Sequence, residues 1–157
     1  MQSAAVLTIS DSVSRGDRED RSGPATATFL WERGFEVVER AVVADEQQAI
    51  EAFLVRLCQS AQLVVTTGGT GVAERDVTPE ATRAVCSRLV EGIAEKMRAE
   101  GAKGTPFAVL SRGVCGVRGR TLILNLPGSP SGAIESLSSV IDVLPHAVDL
   151  LQGKTEH

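Results

Sequence analysis

The chain has 157 residues, 43% of them hydrophobic, enough to bury a core in one domain without disulfide or metal staples. With 16 Lys and Arg against 20 Asp and Glu, the net charge is −4, and only 3% of residues are aromatic, which argues against a nucleic-acid surface with its basic face or stacking platforms. The apolar content argues against intrinsic disorder, and no apolar run approaches the ~20 residues of a membrane-spanning helix.

Cys58, Cys86 and Cys115 are odd in number and widely spaced, so they fit neither a Cys-x-x-Cys metal site nor a disulfide framework and read as buried or incidental thiols. Met1-Gln2-Ser3 lacks the basic start and long apolar region of a secretory signal. The expectation is a cytoplasmic protein of one domain, residues 1–157.

In chain order, the β-branched run Ala4–Ile9 predicts a first strand, closed by Ser10-Asp11-Ser12. The polar stretch from Ser12 to Ser22 reads either as a solvated surface loop or as a lid over an anionic ligand. Gly23-Pro24 opens a helix that Gly34 stops. Glu36–Val43 is a second strand, followed by Asp45, placed to cap a helix whose Ile50, Phe53, Leu54 and Leu57 recur with helical spacing.

Leu63–Thr67 is a buried third strand that runs into Gly68-Gly69-Thr70-Gly71. Glycines there let the backbone present N–H groups to an anion, or they serve a turn that needs positive φ. Arg75-Asp76 follows, and then Thr78-Pro79 as the N-cap and first turn of a helix. Asp76 reads either as a group that holds a cation or orients a reactant, or as a cap paired with Arg75. Asp45 reads as a cap, and beside Asp76 it would complete a site for a hard cation.

Gly92 and Gly101 bracket another helix, and Phe107–Leu110 reads as a strand that leads into Ser111-Arg112-Gly113, where a hydroxyl and a guanidinium either hold phosphate or decorate a turn. Gly116 to Arg120 reads as a hairpin connection into the strand Thr121–Leu126. Pro127-Gly128-Ser129-Pro130 is a stiff turn that either presents donors to a ligand or serves packing. The final helical region carries Ile134, Leu137, Val140, Ile141 and Leu144, interrupted at Pro145. His146 falls in that region and His157 ends the chain, which makes a Ser-His-Asp hydrolase a poor fit. Trp31 and the phenylalanines read as core. Alternating strands and helices predict an α/β three-layer sandwich, a mostly parallel central sheet with helices on both faces, with ligands beyond the carboxyl ends of the strands.

The ordered set Thr8-Ile9-Ser10-Asp11-Ser12, Asp45-Glu46, Thr67-Gly68-Gly69-Thr70-Gly71, Arg75-Asp76-Val77-Thr78-Pro79-Glu80, Leu110-Ser111-Arg112 and Leu124-Asn125-Leu126-Pro127-Gly128-Ser129-Pro130 closely resembles the molybdopterin adenylyltransferase family of molybdenum cofactor biosynthesis, from about Val6 to Leu151. The resemblance implies a cytoplasmic α/β protein, usually a homotrimer, that transfers AMP from Mg-ATP to the terminal phosphate of molybdopterin and releases pyrophosphate. It implies Asp45 and Asp76 as carboxylates tied to Mg²⁺ and catalysis, and Ser111 as a substrate-positioning hydroxyl. Thr67, Gly68, Gly69, Thr70 and Gly71 would form the pterin-phosphate loop, and Ser10, Asp11, Arg112, Pro127 and Gly128 would line the same pocket. The partners expected are the two small-molecule substrates and, transiently, the separate metal-insertion protein, with neither nucleic acid nor membrane. Ala44 stands where many relatives carry proline, a change that tunes loop rigidity. The rival reading is a catalytically weak molybdopterin carrier, and a third is an interaction module, which would need an extended partner-binding segment.

Overall fold

The computed structural model describes residues 1–155, and His157 lies outside them. Six strands form one sheet: β1 (Gln2–Ile9), β2 (Phe35–Val43), β3 (Leu63–Thr67), β4 (Arg88–Leu89), β5 (Cys115–Arg118) and β6 (Thr121–Leu126). Their order is β2-β1-β3-β6-β5-β4. The first four in that order are parallel, while β5 and β4 add an antiparallel edge.

Side chains alternate across a strand, and here both faces are covered, so each strand feeds two cores. Ala4 and Val6 of β1, Leu63 and Val65 of β3, and Leu122, Leu124 and Leu126 of β6 face one core. That core is closed by α2 (Ser22–Glu32), α5 (Glu91–Ala102), α6 (Pro130–Val140) and α7 (Leu144–Leu151), through Leu30, Met97, Leu137 and Val148 among others. Ala5, Leu7, Ile9, Val64 and Ile123 face the other, under α3 (Gln47–Leu57) and α4 (Thr78–Val85). Each fully buried Leu or Ile contributes about 1.5–3 kcal/mol, so the dozen largest buried side chains dominate the folding energy. No helix among the described residues is long and apolar enough to cross a membrane.

Successive crossovers place α2 on one face and α3 on the other, which makes the gap between β1 and β3 a topological switch point. The carboxyl ends of β1, β2, β3 and β6 all open on that side, and the loops that follow them build the site.

Several elements differ from the sequence expectation. Phe107–Leu110 is not a strand: Pro106–Leu110 forms a 3-10 turn, because Thr105 caps it by accepting from the Phe107 N–H at 3.3 Å and Pro106 suits its first turn. Phe107 is 73% exposed on that turn and Trp31 is 61% exposed on α2, so neither is core. Neither Asp45 nor Thr78 caps the helix that follows it; the cap positions are Glu46 and Val77, and both side chains are drawn into the ligand-facing loops. Gly92 and Gly101 lie inside α5 instead of bounding it, and Pro145 sits in the first turn of α7, where its missing N–H costs nothing. A one-turn helix, α1 (Asp11–Ser14), follows β1 at once.

Burial holds the thiols protonated, with Cys58 and Cys86 pushed up to about 11 and Cys115 to about 12, which makes them poor nucleophiles.

Candidate functional site: a cavity at the β1–β3 switch point

A cavity of about 590 Å³ opens above the carboxyl ends of β1 and β3. Its wall includes Ser10, Asp45, Thr67, Gly68, Gly69, Asp76 and Gly128, seven of the residues expected from sequence, drawn from four different loops. A side chain at Gly68, whose φ is 100°, would strike the Ile9 carbonyl, and one at Gly69, whose φ is 68°, would strike the Thr78 hydroxyl and crowd Asp45. Only glycine serves at both positions. The loop is closed by the Thr78 hydroxyl donating to the Gly68 carbonyl at 2.9 Å and by the Thr78 N–H donating to the Gly69 carbonyl at 3.1 Å. Pinned this way, the loop keeps one shape.

The carboxylates are organised around Asp45. The Asp11 N–H donates to Asp45 Oδ2 at 2.9 Å and the Asp45 N–H donates to Asp11 Oδ1 at 3.0 Å, a reciprocal clasp between the ends of β1 and β2. Arg75 grips both oxygens of Asp11 at 2.9 and 3.0 Å and holds its carboxyl below the usual range. Asp11 is therefore held ionised and paired with Arg75. Asp45 has no such partner: burial raises its pKa, and the nearby charges of Asp11 and Asp76 raise it further. Asp76 turns Oδ2 to the Ala73 N–H at 3.0 Å and lines the same cavity.

Over residues 5–146 the sequence matches the family described as "Probable molybdopterin binding domain". The chain belongs to this molybdopterin-binding family. It is 45% identical over 152 residues to the molybdopterin adenylyltransferase of Helicobacter pylori strain J99, covering 94% of this chain and 86% of that one. It is 40% identical over 165 residues to the molybdopterin adenylyltransferase of Escherichia coli K12, covering 94% and 84%. The crystal structure of the molybdopterin biosynthesis enzyme MoaB from Thermus thermophilus superposes with a TM-score of 0.92 at 51% identity over 98% of both chains.

The remaining expected residues of this molybdopterin-binding domain stand behind or beside the cavity. Arg112 reaches back across the glycine loop: its backbone N–H donates to the Thr70 carbonyl, Nε to the Gly71 carbonyl and one terminal nitrogen to the Asp76 carbonyl, each at 2.7 Å. Its other terminal nitrogen meets Glu80 at 2.7 Å and holds that carboxyl below its ordinary range. With all of its guanidinium nitrogens engaged, Arg112 staples the loop from outside, and Thr70 and Gly71 are the rungs it holds. Ser111 and Arg112 line a second cleft of about 430 Å³ with Glu80 and Arg98, while Pro127 meets Ser111 and Asn125 around a narrow gap behind it.

Thr8, Arg18, Glu19, Asp20, Arg21 and Ser22 also line the main cavity and went unrecognised individually in the sequence. The stretch before α2 is wall, held by Thr8 Oγ1 donating to Asp20 at 2.8 Å and by the Ser22 and Thr67 hydroxyls 2.8 Å apart. The polar pair Asp20 and Ser22, flanking Arg21 and followed by Gly-Pro, was the available signal.

Proposed function

We propose that this chain is a molybdopterin adenylyltransferase of molybdenum cofactor biosynthesis, built as one molybdopterin-binding domain over residues 1–157. The observation that carries the reading is the cavity at the switch point, which brings two carboxylates, Asp45 and Asp76, to a glycine loop able to hold phosphate. The names of the relatives at 40–45% identity supply the substrates, molybdopterin and ATP.

The donor set fits Mg²⁺. Both groups are hard oxygen ligands, and burial together with the neighbouring charges of Asp11 and Asp76 raises the Asp45 pKa, a cost a cation would offset. With only two carboxylates in the set, such a cation would complete its shell with water or substrate phosphates. Bound there, Mg²⁺ would offset charge on the phosphate oxygens.

A terminal phosphate oxygen of molybdopterin attacks the α-phosphorus of ATP; a new P–O–P bridge forms, the bridge between the α- and β-phosphates breaks, and pyrophosphate leaves with its electron pair. The nucleophile is already ionised, so no protein base is needed. Gly68, Gly69 and Thr67 hold phosphate, with Ser10 and Gly128 beside them, while Asp45 and Asp76 would hold Mg²⁺. Asp11 fixes Asp45, and Arg112, Thr70 and Gly71 fix the loop. Ser111 and Pro127, next to this frame, position the outer part of the substrates. Catalysis here is positioning and charge neutralisation.

We place the enzyme in the cytoplasm as a homotrimer that hands its product to a metal-insertion protein. The exposed apolar side chains Phe107, Val109 and Leu110 on one short turn support a subunit contact.

The test is anaerobic incubation of the protein with molybdopterin, ATP and Mg²⁺, with mass spectrometry for adenylylated pterin and a parallel assay for pyrophosphate. Both products, formed only with Mg²⁺, are expected. Tight pterin binding without either product would leave a carrier.

A further inference from the structure

A cavity that takes a pterin phosphate and a triphosphate needs positive charge, yet its wall carries four carboxylates, Glu19, Asp20, Asp45 and Asp76. Two arginines that lie beside the glycine loop in the fold, Arg75 and Arg112, are committed elsewhere. Arg75 is spent on Asp11, and Arg112 on Glu80 and three carbonyls. Two guanidiniums on the wall remain, both on the segment before α2. Arg18 makes no hydrogen bond or ion pair within the described residues, and Arg21 meets only Glu19, at 3.9 Å with both side chains exposed. A contact that long between solvated groups is worth little and yields readily to a phosphate.

The backbone around Arg21 is anchored. Asp20 accepts from Thr8 Oγ1 at 2.8 Å and from the Gly23 N–H at 3.0 Å, Ser22 bonds Thr67 at the root of the glycine loop, and any side chain at Gly23 would collide with Thr8 Oγ1 and Asp20. The segment is thus fastened to β1 and β3 on both sides of Arg21. Guanidiniums carried on a fixed backbone lose less freedom when they bind an anion and form the stronger, charge-assisted bonds to phosphate oxygen.

We infer that Arg18 and Arg21 are the phosphate-binding cations of this site, facing the substrate phosphates from a segment of wall separate from the Asp45–Asp76 pair. The inference rests on the transferase reading for the identity of the phosphates and on geometry for everything else. Two ligands could supply the phosphate, the nucleotide and the pterin, and the experiment separates them.

KM for ATP and KM for molybdopterin are measured in the wild type, in Arg18→Ala, Arg21→Ala and the double variant, and in Arg88→Ala, an exposed arginine on β4 outside the cavity. Equilibrium titrations of ATP and of molybdopterin accompany them, because binding does not depend on transfer. Each single change should raise KM and Kd for at least one ligand about tenfold, the size of a lost charge-assisted hydrogen bond, and the double change should raise them further. Arg21→Lys should recover part of the loss, and Arg88→Ala should match the wild type. Whichever ligand weakens is the one these arginines hold. A wild type that binds but transfers nothing, beside a double variant that binds less, would sink the transferase and leave the arginine assignment standing. A folded double variant with unchanged affinity for both ligands overturns the assignment.

Discussion

Asp45 and Asp76 carry the chemistry in this account, and their removal separates function from folding. Asp76→Asn should keep the fold and slow AMP transfer about 10²–10³-fold, the cost of losing one preorganised charge at a reacting phosphate. Circular dichroism and single-turnover kinetics check the two halves, and unchanged turnover in a folded variant would remove Asp76 from the mechanism. Asp45→Asn should behave differently in stability. Burial raises the Asp45 pKa, so its ionised form works against folding at pH 7 in metal-free protein. The variant should melt no lower than the wild type, and higher if the reciprocal clasp with Asp11 survives, while its melting temperature loses its response to added Mg²⁺. A lower melting temperature at pH 7 would mean that the clasp outweighs the buried charge. Gly69→Ala should cost about 1–3 kcal/mol, because the residue sits at positive φ with the Thr78 hydroxyl in the way. Chemical denaturation reads that loss.

At the scale of elements, Arg112 ties the segment that follows the 3-10 turn to α4 through Glu80 and to the loop between β3 and α4 through the Gly71 and Asp76 carbonyls. Glu80 and Asp11 both have carboxyls lowered by arginine. A depressed carboxylate stabilises the fold fully above its unfolded pKa, and that contribution is lost as pH falls through the folded value. Stability should therefore decline between roughly pH 5 and 3, and Glu80→Gln should flatten that decline while lowering stability at pH 7. Equilibrium unfolding at several pH values tests it; a parallel offset at every pH would show that the pair is spent on solvent.

The four parallel strands and the glycine loop are readable in the sequence because each leaves a local trace: buried β-branched runs, and glycines where no side chain fits. The short edge strands β4 (Arg88–Leu89) and β5 (Cys115–Arg118) leave none, and Gly116 to Arg120 reads as a hairpin connection instead. Asp45 and Thr78 read as caps in the sequence because a cap and a cross-loop hydrogen bond use the same side-chain oxygen, and only the approach of β1 to β2, or of β3 to α4, decides between them. The Phe107–Leu110 turn looked like a strand by composition, but it has no neighbouring strand among the described residues to pair with, and its residues face solvent. Arg18, Asp20 and Arg21 were hidden for a related reason. A polar stretch says nothing by itself about the Thr8 and Thr67 hydroxyls that dock it against the sheet.

For the whole molecule, the two cores place helices on both faces, and the loops at the carboxyl ends of the four parallel strands converge on the cavity, where the proposed reading puts the substrate phosphates and a cation. A rigid frame of this kind needs no protein nucleophile, and the cysteines, all with raised pKa, offer none. The most direct measurement is single-turnover transfer from ATP labelled at the α-phosphorus, with molybdopterin and Mg²⁺ under anaerobic conditions. The account predicts that the label passes to the pterin one for one with pyrophosphate, that none is found on denatured protein, and that Asp76→Asn abolishes most of the transfer. Label bound covalently to the chain, or pyrophosphate released without labelled pterin, would contradict it.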